Sequence, residues 1–301
     1  MKMPRPHRGA GALTMAASFR ARWAAMSEPA SLLDRVELRT RVWAFFVLTF
    51  AWSWTCWLLS PAVKPQSPSL ATMLMFAGSF GPSMAAVLLV ATAGGRAGLL
   101  AWFGRCLQWR VGRGWMALAW LLPAALTGLA AALHIALGGS TQPSPATGHA
   151  LMTAANFFLV FLLGGPLGEE LGWRGYALPS LQESFDWRVA SLGLGLVWGV
   201  WHLPLFFITG TSQVHIPLAL FLLSVVAMSV VFAWLVNRTA GSVVAALLLH
   251  TGINFWPSII PVLPTGEGHR PYGLMVAMLV LVALGLLLQS KVAVSRELQT
   301  R

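Results

Sequence analysis

The sequence predicts an all-α, polytopic membrane protein of about eight transmembrane helices with both termini on the inner side. Composition is the first reason. Of 301 residues 57% are hydrophobic and 10% charged, whereas soluble domains carry about 25% charge. The second is eight apolar stretches, near 42–60, 70–93, 115–137, 150–170, 189–209, 216–236, 241–260 and 272–290. Each approaches the ~20 residues that cross about 30 Å of hydrocarbon. The third is charge placement. With both termini inside, eighteen of the twenty Lys and Arg fall on inner segments, leaving only Lys64 and Arg270 outside, as the positive-inside rule requires.

Taken in order, residues 1–40 are Arg-rich and read as a cytoplasmic, disordered tail; the apolar patch 9–18 is too short and broken for a secretory signal. Met26 is an equally good start. The membrane domain follows over 41–290, and 291–301 reads as a second inner tail. The connector 94–114 mixes arginines with Leu, Trp and Phe and predicts an amphipathic helix along the inner surface. Trp43, Trp109, Trp115, Trp187 and Trp234 fall at inner boundaries, where indoles concentrate. Because the basic residues are dispersed between apolar runs, the net charge of +11 reflects topology and not nucleic-acid binding. Cys56 and Cys106 form neither a CxxC pair nor a disulfide framework.

The fourth stretch ends in GGPLGEELGWRGYALP, and is expected to continue as helix through Tyr176, which brings Glu169 and Glu170 inside the membrane. Ionisable groups there cost roughly 2.5–3.5 kcal/mol each on insertion scales, so they mark function. Glu170 and Arg174 stand at i, i+4, the spacing of a supporting ion pair. Glu169 points about 100° away and is free to act as a base. Trp198 precedes His202 by one turn and can pack on its imidazole; His250 and Asn254 share a face of the seventh stretch. Counting depth from the inner boundary brings Glu169, His202 and His250 to similar levels on three helices. A carboxylate, two imidazoles and an amide suit hydrolysis of an amide bond: Glu169 and His202 to activate water reaching the site from the inner face, His250 and Asn254 to donate to the oxyanion. Gly164, Gly165, Gly193, Gly195 and Gly199 are expected to let helices approach closely. His134, His215 and His269 sit at outer ends and are read as non-functional.

Glu169-Glu170-x-x-x-Arg174, Trp198-x-x-x-His202 and His250-x-x-x-Asn254, with Gly81-Pro82 upstream, resemble in order and spacing the motifs of the CAAX-protease and bacteriocin-processing (Abi) family. That family often has phenylalanine where this chain has Trp198. It is similar to the Ras-converting CAAX endopeptidase, an eight-helix intramembrane glutamate protease. The resemblance implies that Glu169 and His202 bind the catalytic water and that His250 and Asn254 form the oxyanion hole.

The reading is therefore an intramembrane endopeptidase acting on membrane-associated proteins or peptides, in the lipid bilayer of a bacterial plasma membrane, without nucleic acid. No cofactor is favoured. Zinc held by Glu169, His202 and His250 is the alternative; HExxH is absent, and the sequence shows no carboxylate placed behind each histidine. The rival functions are an inactive family member serving as scaffold or immunity factor, and a proton-coupled transporter. A transporter should show matching broken helices in two halves, and the sequence shows no such symmetry.

Overall fold

The computed structural model describes residues 32–264 and 268–289. Two compact units divide the chain. Of the first, Met1–Trp43, the described part is the opening of helix α1; the second, Ala44–Arg301, carries everything discussed below. Helices α1 (Leu32–Val63), α2 (Pro68–Ser79), α3 (Gly81–Cys106), α4 (Arg113–Ala136), α5 (Ala150–Leu163), α6 (Pro166–Gly172), α7 (Leu178–Gln182), α8 (Trp187–Trp201), α9 (Leu218–Arg238), α10 (Val243–Ile259) and α11 (Arg270–Gln289) follow one another, and no strand occurs among the described residues. Seven spans are long and apolar enough to cross a membrane. The all-α membrane architecture is thus the one expected.

Several boundaries differ, each for a local reason. Helix α1 begins at Leu32, inside the expected tail, because neither Gly nor Pro interrupts the chain from there to Pro61. The rest of the tail, 1–31, and the C-terminal tail lie outside the described residues. The second stretch is split at Phe80, where Gly81 and Pro82 restart the helix as α3. A second break in α3, at Gly95 (φ 57°, ψ −154°), sets off residues 96–106, so much of the expected connector helix is present.

The seventh stretch is the clearest departure. α10 has 17 residues, about 25 Å at 1.5 Å per residue, short of a full crossing. Ser242 caps its start by accepting from the Ala245 N–H, and Pro257 stands near its end. Most of its side chains are buried against the other helices, so it is an inner element instead of an eighth lipid-facing span.

Hydrogen bonds between helices fix two levels. At one, Ser242 donates to the Gln108 carbonyl (2.6 Å) and Arg188 to that of Leu287 (3.0 Å). At the other, Arg270 donates to His134 (2.9 Å) and Ser144 to the Ile259 carbonyl (2.7 Å). The first level holds Arg105, Arg110, Arg113, Arg188 and Arg238, all at or beside helix ends; we call it the basic side.

Candidate active site

Between α5 and α6 the chain turns sharply, and the expected continuous helix is broken. Leu163 ends α5; Gly165 takes φ +110°, a region that glycine alone enters freely, and Pro166 opens α6. A Cβ on Gly165 would lie 2.6 Å from Glu169 Oε1 and 3.6 Å from His250 Nε2. The bare glycine therefore forms the wall on which these two groups meet. The Gly164–Gly165 pair makes a turn, not a helix crossing as expected. Gly193 likewise faces open space, whereas Gly195 and Gly199 do lie against α9. The close crossing made by small residues is elsewhere: Gly168 rests on the Ser79 carbonyl (2.5 Å to a Cβ) and Gly172 on Pro82, which gives the Gly81-Pro82 pair its role.

That crossing holds α6 in the core and buries Glu169 and Glu170. A π-helical turn, Trp173–Ala177, follows and carries Arg174 inward. Arg174 Nη1 donates to Glu170 Oε1 at 3.1 Å. Its guanidinium also lies 4.2 Å from the Trp198 ring and 4.0 Å from that of Phe232. This cation–π sandwich suits a desolvated arginine.

The same Glu170 oxygen receives a second bond, from His250 Nδ1 at 2.6 Å. Sequence reasoning missed it. It supplies the carboxylate behind a histidine that the sequence did not reveal, since contact between residues 80 positions apart leaves no local pattern. With Nδ1–H on the carboxylate, Nε2 of His250 faces Gly165, where it accepts a proton when the ring is neutral and donates when the ring is an imidazolium.

Trp198 is more than the expected packing partner. Its ring centroid is 5.9 Å from that of His202, as anticipated, but its indole Nε1 also donates to Glu169 Oε2 at 2.7 Å. A phenylalanine could not make that bond. His202 itself caps α8 and does not lie within the helix. Pro204 lacks the N–H needed to continue the α-helix, and a 3₁₀ turn, Leu203–Phe207, follows. The Trp198 carbonyl accepts from His202 Nδ1 at 2.8 Å, so the neutral ring keeps Nε2 as an acceptor. Trp201 and Phe221 pack edge-on against the imidazole, at 4.7 and 5.1 Å between centroids.

Asn254 is half-buried, and its Nδ2 donates one hydrogen to the Gly164 carbonyl (2.9 Å), leaving the second for another acceptor. Glu169, His202, His250 and Asn254 all line one cavity of about 160 Å³, together with Gly164, Gly165 and Trp198. A neighbouring cavity of about 350 Å³, mostly apolar in lining, shares Gly164, Gln213, Phe221, Met228, Ile253 and Asn254 with it. Gln213 was not foreseen, because nothing in its segment marks it. Among the described residues no three His, Cys, Asp or Glu side chains form a group that could hold a metal ion. Cys56 and Cys106 are free and buried.

Comparison with known proteins agrees with the motifs. Residues 151–256 match the model of the family described as Type II CAAX prenyl endopeptidase Rce1-like. Over 141 residues the chain is 34% identical to CAAX prenyl protease 2 of Methanococcus maripaludis; the aligned part is 44% of this chain and 52% of that protein. The chain thus spans about half the length of the curated relative it matches. All seven motif residues, Glu169 through Asn254, lie inside the matched segment, so the part of the chain that carries the candidate site is similar to the Rce1-like CAAX prenyl endopeptidases.

Proposed function

We propose that this protein is an intramembrane endopeptidase that hydrolyses peptide bonds of membrane-associated proteins or peptides. One observation carries the proposal: Glu169, His202, His250 and Asn254, from three helical elements, border the same small cavity within the helical core.

In the proposed reaction a water molecule donates one hydrogen to His202 Nε2 and the other to Glu169. Glu169 takes that proton as the oxygen attacks the substrate carbonyl. The indole N–H of Trp198 holds the other carboxylate oxygen, so Glu169 presents Oε1 to the cavity. As negative charge develops on the carbonyl oxygen, the free amide hydrogen of Asn254 and Nε2–H of His250 donate to it. Nε2 donates when His250 is an imidazolium, because Nδ1–H is committed to Glu170. Collapse of the tetrahedral intermediate breaks the C–N bond, and the proton on Glu169 passes to the leaving nitrogen. Glu170 and Arg174 do not touch the reacting atoms. They orient His250 and balance its charge.

The name of the Methanococcus maripaludis relative supports a CAAX-type protein end as the substrate class, and a bacterial plasma membrane remains the proposed location. Cleavage by purified protein in liposomes, compared with Glu169→Gln and His202→Ala, tests the mechanism. Loss of cleavage in both is expected. Parent-level activity in either variant overturns it, and an inactive but folded parent would favour the scaffold reading.

A further inference from the structure

The two sides of the site differ in packing. Toward the basic side lies a closed layer. Trp173, Arg174, Phe232, Leu235, Val243 and Ala246 are each 2% exposed or less. Trp102 donates to the Gly175 carbonyl (2.9 Å) and Cys106 packs on Gly175, which fastens residues 96–106 beneath the π-helical turn. Such close packing leaves few voids large enough for water.

Toward the opposite side the packing opens. The larger cavity runs from the middle of the helices into the halves remote from the basic ends, and the smaller one adjoins it. α4 contributes residues from Leu122 to Thr127, α9 those from Phe221 to Val231, α10 those from Leu249 to Pro257, and α11 those from Tyr272 to Leu279. At the rim stand Ser212, which is exposed, the half-buried Gln213, and Leu263, which is 37% exposed. They belong to the segments 202–217 and 260–264, which lie at the helix ends opposite the basic side. Of the six residues that border both cavities, Gln213 is the one on the rim connectors.

We infer that water and substrate reach Glu169 from the side opposite the basic helix ends, passing Gln213. This reverses the inner-face access expected from the sequence. Under the positive-inside rule the scissile bond then arrives from the outer half of the membrane. The enzyme's substrates are peptides or protein ends presented on that side. The consequence for substrates rests on the peptidase reading; the route itself does not.

Labelling decides the route. Gln213→Cys, Leu263→Cys and Arg110→Cys are compared in sealed vesicles of both orientations with a membrane-impermeant maleimide. The parent supplies the background from its buried Cys56 and Cys106, and size-exclusion chromatography reports folding. Cysteines at 213 and 263 are expected to react in the orientation in which the cysteine at 110 does not. Reaction of all three in the same orientation overturns the inference. So does failure of the cysteine at 213 to react in either orientation while that at 110 reacts. Adding Glu169→Gln should leave the labelling pattern unchanged while abolishing cleavage, so failure of the peptidase reading and failure of the route give different results.

Discussion

Nδ1 of His250 stands 2.6 Å from Oε1 of Glu170, the same oxygen that Arg174 contacts at 3.1 Å. The second acidic residue of the pair is thereby tied to the third motif, and the histidine's tautomer is set by a carboxylate that never reaches the cavity. Removing such an orienting carboxylate costs about 10- to 100-fold in comparable sites. Glu170→Gln is therefore expected to lower kcat by about that factor with little change in KM, measured in liposomes. Equal kcat in variant and parent would show that the bond does not orient His250.

Arg174 presents a different expectation, one of stability. Removing one member of a buried ion pair costs roughly 3–5 kcal/mol, because the other charge is stranded. Arg174→Met should unfold well below the parent in detergent. Arg174→Met combined with Glu170→Gln should recover part of the loss. Thermal unfolding of the two single variants and the double variant measures the coupling; additive losses would mean that the pair is not the reason.

Gly165→Ala tests the turn beside the site. Its φ of +110° strains any side chain, by about 1–3 kcal/mol, and the added Cβ meets Glu169 Oε1 at 2.6 Å. Cleavage should be lost while the protein still folds, as judged by size-exclusion chromatography together with initial rates. Retained activity would show that Glu169 can move away at no cost.

Two helical glycines should respond in opposite directions. At Gly172 a Cβ would collide with the backbone of Pro82, whereas at Gly193 it meets nothing within 4 Å. Gly172→Ala is expected to destabilise the α6–α3 crossing. Gly193→Ala should be neutral or stabilise by up to about 1 kcal/mol, the usual Gly-to-Ala gain in a helix. Unfolding midpoints for the pair decide whether the crossing depends on bare glycine.

The sequence by itself determined the membrane class, the apolar segments and the residues of the candidate site, because hydropathy and i, i+4 spacing are local properties. Glu170–Arg174 and the Trp198–His202 ring contact were legible for the same reason: one helical turn brings them together. What only the tertiary structure decided is which atoms face each other across helices. The Glu170–His250 and Trp198–Glu169 bonds join residues 80 and 29 positions apart. The break at Gly164–Gly165 turns an apparent single span into a wall of the cavity, and α10 lies inside the fold although its composition resembles that of its neighbours. The side from which the cavity is reached also depends on packing. A close-packed layer on one side and a cavity on the other come from how non-adjacent helices fill space, a property that no segment carries alone.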